Sequence, residues 1–179
     1  MHRSKILIRI LFVFILLAGL LAGVFISTRA SVNVAPLRQS ATNVVISQVY
    51  GGGGNSGSPY QNDFVELFNP TDAPVSLNAN WSVQYVAATG SFPSTGNNLT
   101  PLTSITLAPG HYYLLVMGAN SIGGVNADQT GSTAMSATAG KVRLVDSDNQ
   151  VVDLVGYGTT ANEFEGGGPA PSPSNTKAD

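Results

Sequence analysis

After residue 42 this chain never stays apolar for longer than one short strand before glycine, proline or asparagine interrupts it. Runs of four to eight residues bounded by such punctuation read as strands, and no window carries the three-to-four-residue spacing of an amphipathic helix. The runs are Asn43 to Tyr50, Asp63 to Phe68, Pro74 to Leu77, Trp81 to Val86, Leu102 to Leu107, His111 to Met117, Lys141 to Val145 and Val151 to Tyr157. Asn69-Pro70 closes the second, because proline cannot continue a ladder, and Ala108-Pro109-Gly110 is the turn before the sixth. About eight short strands with frequent turns predict an all-β protein, a sandwich or barrel. Trp81, Val83 and Tyr85 alternate with Ser82 and Gln84, so one face of that strand points inward. The expected shared core is Trp81, Val83, Leu114, Val116, Leu144 and Leu154.

Four further expectations concern organisation. Residues 1–30 read as a signal peptide or signal anchor, 31–42 as a linker, 43–165 as the sandwich, and 166–179 as a flexible Gly/Pro/Ser-rich tail. Arg3, Lys5 and Arg9 precede a run without charge from Ile10 to Ile26, which is the pattern of an export segment forming a hydrophobic helix. Thr28 and Ala30 place small residues where a signal peptidase would cut. The run of 17 residues also reaches the lower end of the ~17–25 that span a bilayer, so residues 10–26 would anchor the chain if left uncleaved. Both readings place the chain from Ser31 onward outside the cytoplasm, secreted or at the cell envelope.

The residue inventory excludes several chemistries. Cysteine is absent, which removes disulfides, thiolate metal sites and a cysteine nucleophile. Half of the eight basic residues lie in the export segment, so from Ser31 onward four cations face all ten acids and the charge is −6. Such a module repels phosphate backbones, and DNA binding is expected to be weak. Lys141 and Arg143 are the one close pair of cations and are ligand-contact candidates. His111 is the one histidine after the export segment, too few for a histidine metal site, and it follows a Pro-Gly turn. No catalytic residues and no cofactor are assigned, and the partner class is a protein or a surface polymer.

Several motifs have a structural explanation beside the functional one. Gly52, Gly54 and Gly57 match G-x-G-x-x-G, yet Pro59 and another strand follow where a dinucleotide site needs a helix, so a mobile loop is expected. Asp146 and Asp148 begin a D-x-D pattern and are the metal-ligand candidates, but Val151 and Tyr157 stand where a calcium loop needs glycine and glutamate. Turn chemistry explains them equally. Glu66 shares a strand face with Phe64 and Phe68 and is expected to accept hydrogen bonds from a neighbouring segment or to lie at an edge. Most aromatics lie within strands, where packing accounts for them; Tyr60, in a Gly-Ser-Pro loop, is the aromatic ligand-contact candidate.

Four segments together resemble the lamin-tail domain in its bacterial exported form. They are ISQVYGGGGNSGSPYQNDFVELFNPTDAPVSL (Ile46 to Leu77), LAPGHYYLLV (Leu107 to Val116), MSATAGKVRLVDSDNQVVDLVGYG (Met135 to Gly158) and GPAPSPSN (Gly168 to Asn175). The resemblance implies an immunoglobulin-like β-sandwich. It implies a scaffold role like that in nuclear lamins, where the domain contacts proteins and chromatin, or a module beside extracellular nucleases or phosphatases, or on surface proteins; the first alternative is an accessory that binds nucleic acid for an extracellular nuclease. A carbohydrate-binding or adhesion module is a further alternative.

Overall fold

The computed structural model describes residues 42–118 and 126–178. The export or anchor helix, the linker to residue 41 and the candidate span 10–26 lie outside the described residues. Ten strands follow in order: β1 Val45–Tyr50, β2 Asp63–Phe68, β3 Val75–Leu77, β4 Ser82–Ala87, β5 Leu99–Pro101, β6 Ile105–Leu107, β7 Tyr112–Met117, β8 Gln129–Thr130, β9 Gly140–Val145 and β10 Val151–Tyr157. A single 3₁₀ turn, Gly96–Asn98, precedes β5, and no α-helix occurs among the described residues. None of the described helices is long and apolar enough to cross a membrane.

The strands form two four-stranded sheets, β1-β2-β7-β8 and β10-β9-β4-β5, and a small sheet β3-β6. All pairs are antiparallel except β7 with β8. The strand expected over Leu102–Leu107 is shorter, Ile105–Leu107, and a separate short strand that the expectation did not include, Leu99–Pro101, precedes it. Leu99–Pro101 pairs with β4, while Ile105–Leu107 pairs with β3. Leu102 between them is buried, its N–H bonded to the Trp81 carbonyl at 2.8 Å.

The core lies between the two large sheets. Val65, Leu67, Tyr113, Leu115 and Met117 belong to the first sheet; Trp81, Val83, Tyr85, Val142, Leu144 and Tyr157 belong to the second or lead into it. Trp81, Val83 and Leu144 therefore stand in the expected core. Leu114 and Val116 do not share that face. Tyr112–Met117 is apolar at nearly every position, so the run itself carries no parity. Its partner supplies it: Val65 pairs with Leu115 and Leu67 with Tyr113, which turns Leu114 outward to face Glu66. Val116 is buried, but on that same outer side opposite Phe64.

Leu154 is likewise corrected. A register shift at Val152 lets Val152, Val155 and Tyr157 approach the core, whereas Leu154 sits opposite Arg143 on the outer face. A second bulge, at Ser47, explains why the inward residues of the first strand region are Val44, Ile46 and Val49, spaced by two and then three.

The glycine loop is closely packed at its first residues. A Cβ on Gly53 would lie 2.0 Å from the Asn62 carbonyl carbon, and one on Gly51 would lie 2.2 Å from the Ser136 oxygen, so these two positions exclude any side chain. Nor is the described part of the C-terminal stretch free. Ala170 bridges Tyr157, with Ala170 N–H donating to the Gly156 carbonyl at 2.7 Å and Gly158 N–H to the Ala170 carbonyl at 2.9 Å. Asn175 then caps the glycine loop: Tyr50 donates its hydroxyl to the Asn175 carbonyl at 2.6 Å, and the Asn175 amide donates to the Ser56 carbonyl at 2.9 Å. The sandwich thus extends past residue 165, because β10 offers backbone groups that this stretch satisfies.

The two faces of β7 make a direct test. Leu115→Ala is expected to cost about 2–5 kcal/mol in urea denaturation, as for other fully buried leucines, and Leu114→Ala clearly less. A larger loss at Leu114 than at Leu115 would assign the strand the opposite parity.

Candidate functional site

The polar cluster that stands out lies on the outer face of the second sheet. β9 places Lys141 and Arg143 two residues apart, hence on one face, with Gln84 of β4 directly opposite Arg143. Solvent would ordinarily cover this face. Here the segment Gly90–Ser94 folds over it instead, and Ser82, Gln84, Ser94 and Lys141 are all buried. A buried polar group needs partners, and these have them. Ser94 N–H donates to Gln84 Oε1 at 3.2 Å, and Ser94 Oγ donates to the Tyr85 carbonyl.

Lys141 is 1% exposed. Its ammonium donates to the Gly90 carbonyl at 2.7 Å, to Asn162 Oδ1 at 2.8 Å and to Glu163 Oε2 at 3.2 Å. Three protons meet three acceptors, and Phe92 stands 5.4 Å from the nitrogen. Lys141 is therefore not a surface ligand contact: its charge is committed within the protein, to a loop carbonyl, an amide and a carboxylate.

Arg143 differs. Its Nε and Nη2 both donate to Gln84 Oε1, at 3.1 and 2.9 Å, and the Phe92 ring centroid lies 4.2 Å from the guanidinium carbon. Burial lowers its pKa from the ordinary arginine value, and the nearby Glu163 charge acts in the opposite sense. The group is held in orientation while part of its fork has no protein partner among the described residues. A cleft of about 370 Å³ opens here, between the Gly90–Phe92 segment, the two cations and Asn162–Glu163.

The other candidates lie apart from it. Tyr60, 40% exposed, meets Tyr50 and Phe64 edge-on at 5.6 and 5.7 Å, beside the first sheet. Asp146 and Asp148 stand in the β9–β10 turn. Asp146 Oδ1 accepts from the backbone N–H of Asp148 and Gln150 at 2.9 and 2.8 Å, so this carboxylate shapes the turn. No group of three or more metal-ligating side chains occurs among the described residues. Glu66 accepts from Ser47 Oγ at 2.7 Å across the bulge. His111 is exposed, its N–H bonded to the Ala108 carbonyl at 3.1 Å within the turn.

Asp63 is the functional-looking group that sequence reasoning passed over. Buried at the start of β2, it accepts from Gly53 N–H at 2.9 Å and Met135 N–H at 2.7 Å, clamping the glycine loop to the segment before β9. Burial raises its pKa above 3.8, partly offset by those two donors. Gln84, Phe92, Asn162 and Glu163 were also missed. They form the site through a loop that crosses a sheet face, which strand alternation does not reveal.

A family model described as Lamin Tail Domain matches residues 38–159. The chain belongs to this family. No curated protein matches it significantly. The match spans all ten strands, and beyond it Ala170 and Asn175 add contacts to the sandwich. Glu163 lies just outside the matched span, so the cleft joins a family sheet to a segment beyond the matched span.

Two outcomes test these environments. Lys141→Met leaves the Gly90 carbonyl and the Asn162 oxygen without their donor and is expected to cost about 1–3 kcal/mol in urea denaturation. Glu163→Gln leaves the buried Lys141 ammonium without its charged acceptor and, although the Glu163 side chain is 52% exposed, should cost about as much, roughly 1–3 kcal/mol.

Asp63 gives a pH signature. Its pKa is raised in the folded state, so the folded protein holds this proton more tightly than the unfolded chain. The contribution to stability is full below the unfolded value near 3.8 and is lost as pH rises through the folded pKa. The stability difference between wild type and Asp63→Asn should therefore shrink as pH rises from near 3.8 through the raised folded pKa. A difference that grows would mean that the two N–H donors outweigh burial.

Proposed function

We propose that this lamin-tail chain is an exported, non-catalytic module that binds or scaffolds at the cell envelope or outside the cell. The observation that carries the export half is the basic Arg3, Lys5, Arg9 cluster followed by the uncharged run Ile10 to Ile26. The non-catalytic half is supported by family membership, since lamin-tail domains are non-catalytic immunoglobulin-like domains. It is also supported by where the reactive side chains lie. His111 is on an exposed turn, Asp146 is bonded to its own turn, Asp63 to two backbone amides, and Glu66 to Ser47. No nucleophile–base pair of the kind hydrolysis requires is formed by these groups.

Charge disfavours nucleic acid as the partner. Four cations oppose ten acids from Ser31 onward, and Lys141 is already committed to three internal acceptors. A surface polymer or a protein is the partner class that remains.

Fusing a reporter that is active only in the cytoplasm to the C-terminus tests export. The expected result is no reporter activity; strong activity overturns the proposal. Mass spectrometry of the mature protein then distinguishes a start at Ser31, which means secretion, from a retained Met1, which means an anchor through residues 10–26.

A further inference from the structure

The cleft on the second sheet has an unusual charge balance. Lys141 and Glu163 neutralise each other at 3.2 Å, which leaves the charge of Arg143 as the net charge of the site. Gln84 Oε1 takes two of the five guanidinium N–H groups, and the remaining three have no protein partner among the described residues. The Phe92 ring and the Gln84 amide fix the plane of the fork, so little rotamer freedom remains to be lost when a ligand binds.

We propose that this cleft binds the carboxylate of a uronic-acid-type sugar residue. The free N–H groups of Arg143 take the carboxylate, and the polar groups of Ser91, Asn162 and Glu163 bond the sugar hydroxyls. The proposal rests on the reading of the chain as an extracytoplasmic binding module, and names the ligand class of that reading.

Four observations select this chemistry. The volume of about 370 Å³ falls within the range of ordinary small-ligand clefts. A single net positive charge complements a monoanion. A phosphate dianion would set two charges on one group beside Glu163, whose side chain is 52% exposed, whereas each uronate residue carries one. The planar two-oxygen carboxylate also matches the guanidinium fork. The lining is polar, and its one large apolar side chain, Phe92, is stacked against Arg143, so no apolar floor is left for a peptide side chain.

The competing account is that the cluster only fastens the Gly90–Ser94 segment. Binding measurements separate the two. The full chain, purified in mild detergent, is titrated with trigalacturonate by calorimetry at about 150 mM salt, where surface charge is partly screened. A neutral galactose trimer, inorganic phosphate, an acidic pentapeptide and duplex DNA are titrated in parallel. The expected result is a dissociation constant of about 1 mM or tighter for trigalacturonate. The neutral trimer, phosphate and DNA should bind at least about tenfold more weakly, reflecting the loss of a bidentate charged pair or the added repulsion.

Two variants act in opposite directions. Arg143→Lys keeps the charge but loses the fork, and should weaken trigalacturonate binding about tenfold. Glu163→Gln removes the competing carboxylate and should strengthen it severalfold. A fastening role alone predicts that neither variant changes binding, and Glu163→Gln separates the accounts even if Arg143→Lys fails to fold. Equal binding of the charged and neutral trimers, or no binding of either, overturns the proposal, as does tighter binding of the acidic peptide. Those failures leave the export result untouched, so the reading of the chain as an exported module is judged separately.

Discussion

Two sheets that share no strand are held together by what lies between them. Without a cysteine to staple the layers, cohesion comes from interleaved side chains: Tyr113, Leu115 and Met117 on one side, Trp81, Val83, Val142 and Leu144 on the other. That requirement reaches into the backbone. β1 and β10 each carry one extra residue, at Ser47 and Val152, and each bulge changes which side chains face inward on the two sides of it. Where the layers meet at their edge, the Asp153 carboxylate accepts from the Ile46 N–H, an inter-sheet bond that hydrophobic burial does not supply. Glu165 nearby has its pKa raised by burial and by Asp153, so this edge carries a second acidic group under charge strain.

The outer face of the second sheet follows a different rule. Covering it with Gly90–Ser94 removes Ser82, Gln84 and Lys141 from water, and each buried polar atom must then be paired. Lys141 suits the place because its ammonium has three donors and the covering segments present three oxygens. The buried charge is tolerable because one of the three acceptors is itself charged and reaches solvent. The loop is therefore fixed by electrostatics rather than by apolar packing, and the cleft beside it keeps a polar wall.

Much of this architecture was legible in the sequence, for reasons that also explain the exceptions. Turn residues such as Asn69-Pro70 and Pro109-Gly110 mark strand ends directly, and the alternation in Trp81–Val86 reports its own inward face. The run Tyr112–Met117 reports none: when every position is apolar, parity is a property of the neighbouring strand. The bulge at Val152 moved Leu154 outward for a related reason, since one inserted residue reverses the alternation that a reader extrapolates. In the stretch 166–178, glycine, proline and serine signal the absence of repetitive structure, not the absence of contacts. Ala170 and Asn175 make theirs through single backbone and amide bonds. Of the candidate site residues, the strand spacing of Lys141 and Arg143 correctly placed them on one face. What covered that face depended on Gly90–Ser94 and Asn162–Glu163, about 50 and 20 residues away along the chain, a juxtaposition no local pattern encodes.

The internal logic of the cluster bears on what Arg143 is for. Lys141 already ties the covering segment to the sheet through Gly90, and ties Asn162 and Glu163 to it as well. Arg143 adds no hydrogen bond to either covering segment. Its two bonds run to Gln84, its cross-strand neighbour in the same sheet, where the β4–β9 ladder already fixes the backbone. Such bonds secure little except the guanidinium itself, and the Phe92 ring at 4.2 Å does the same from one face. A side chain whose supports orient it, and whose remaining donors point to no protein acceptor, is organised as a preformed contact rather than as a fastening. The division of labour within one strand is then simple: Lys141 holds the wall, and Arg143 is held by it.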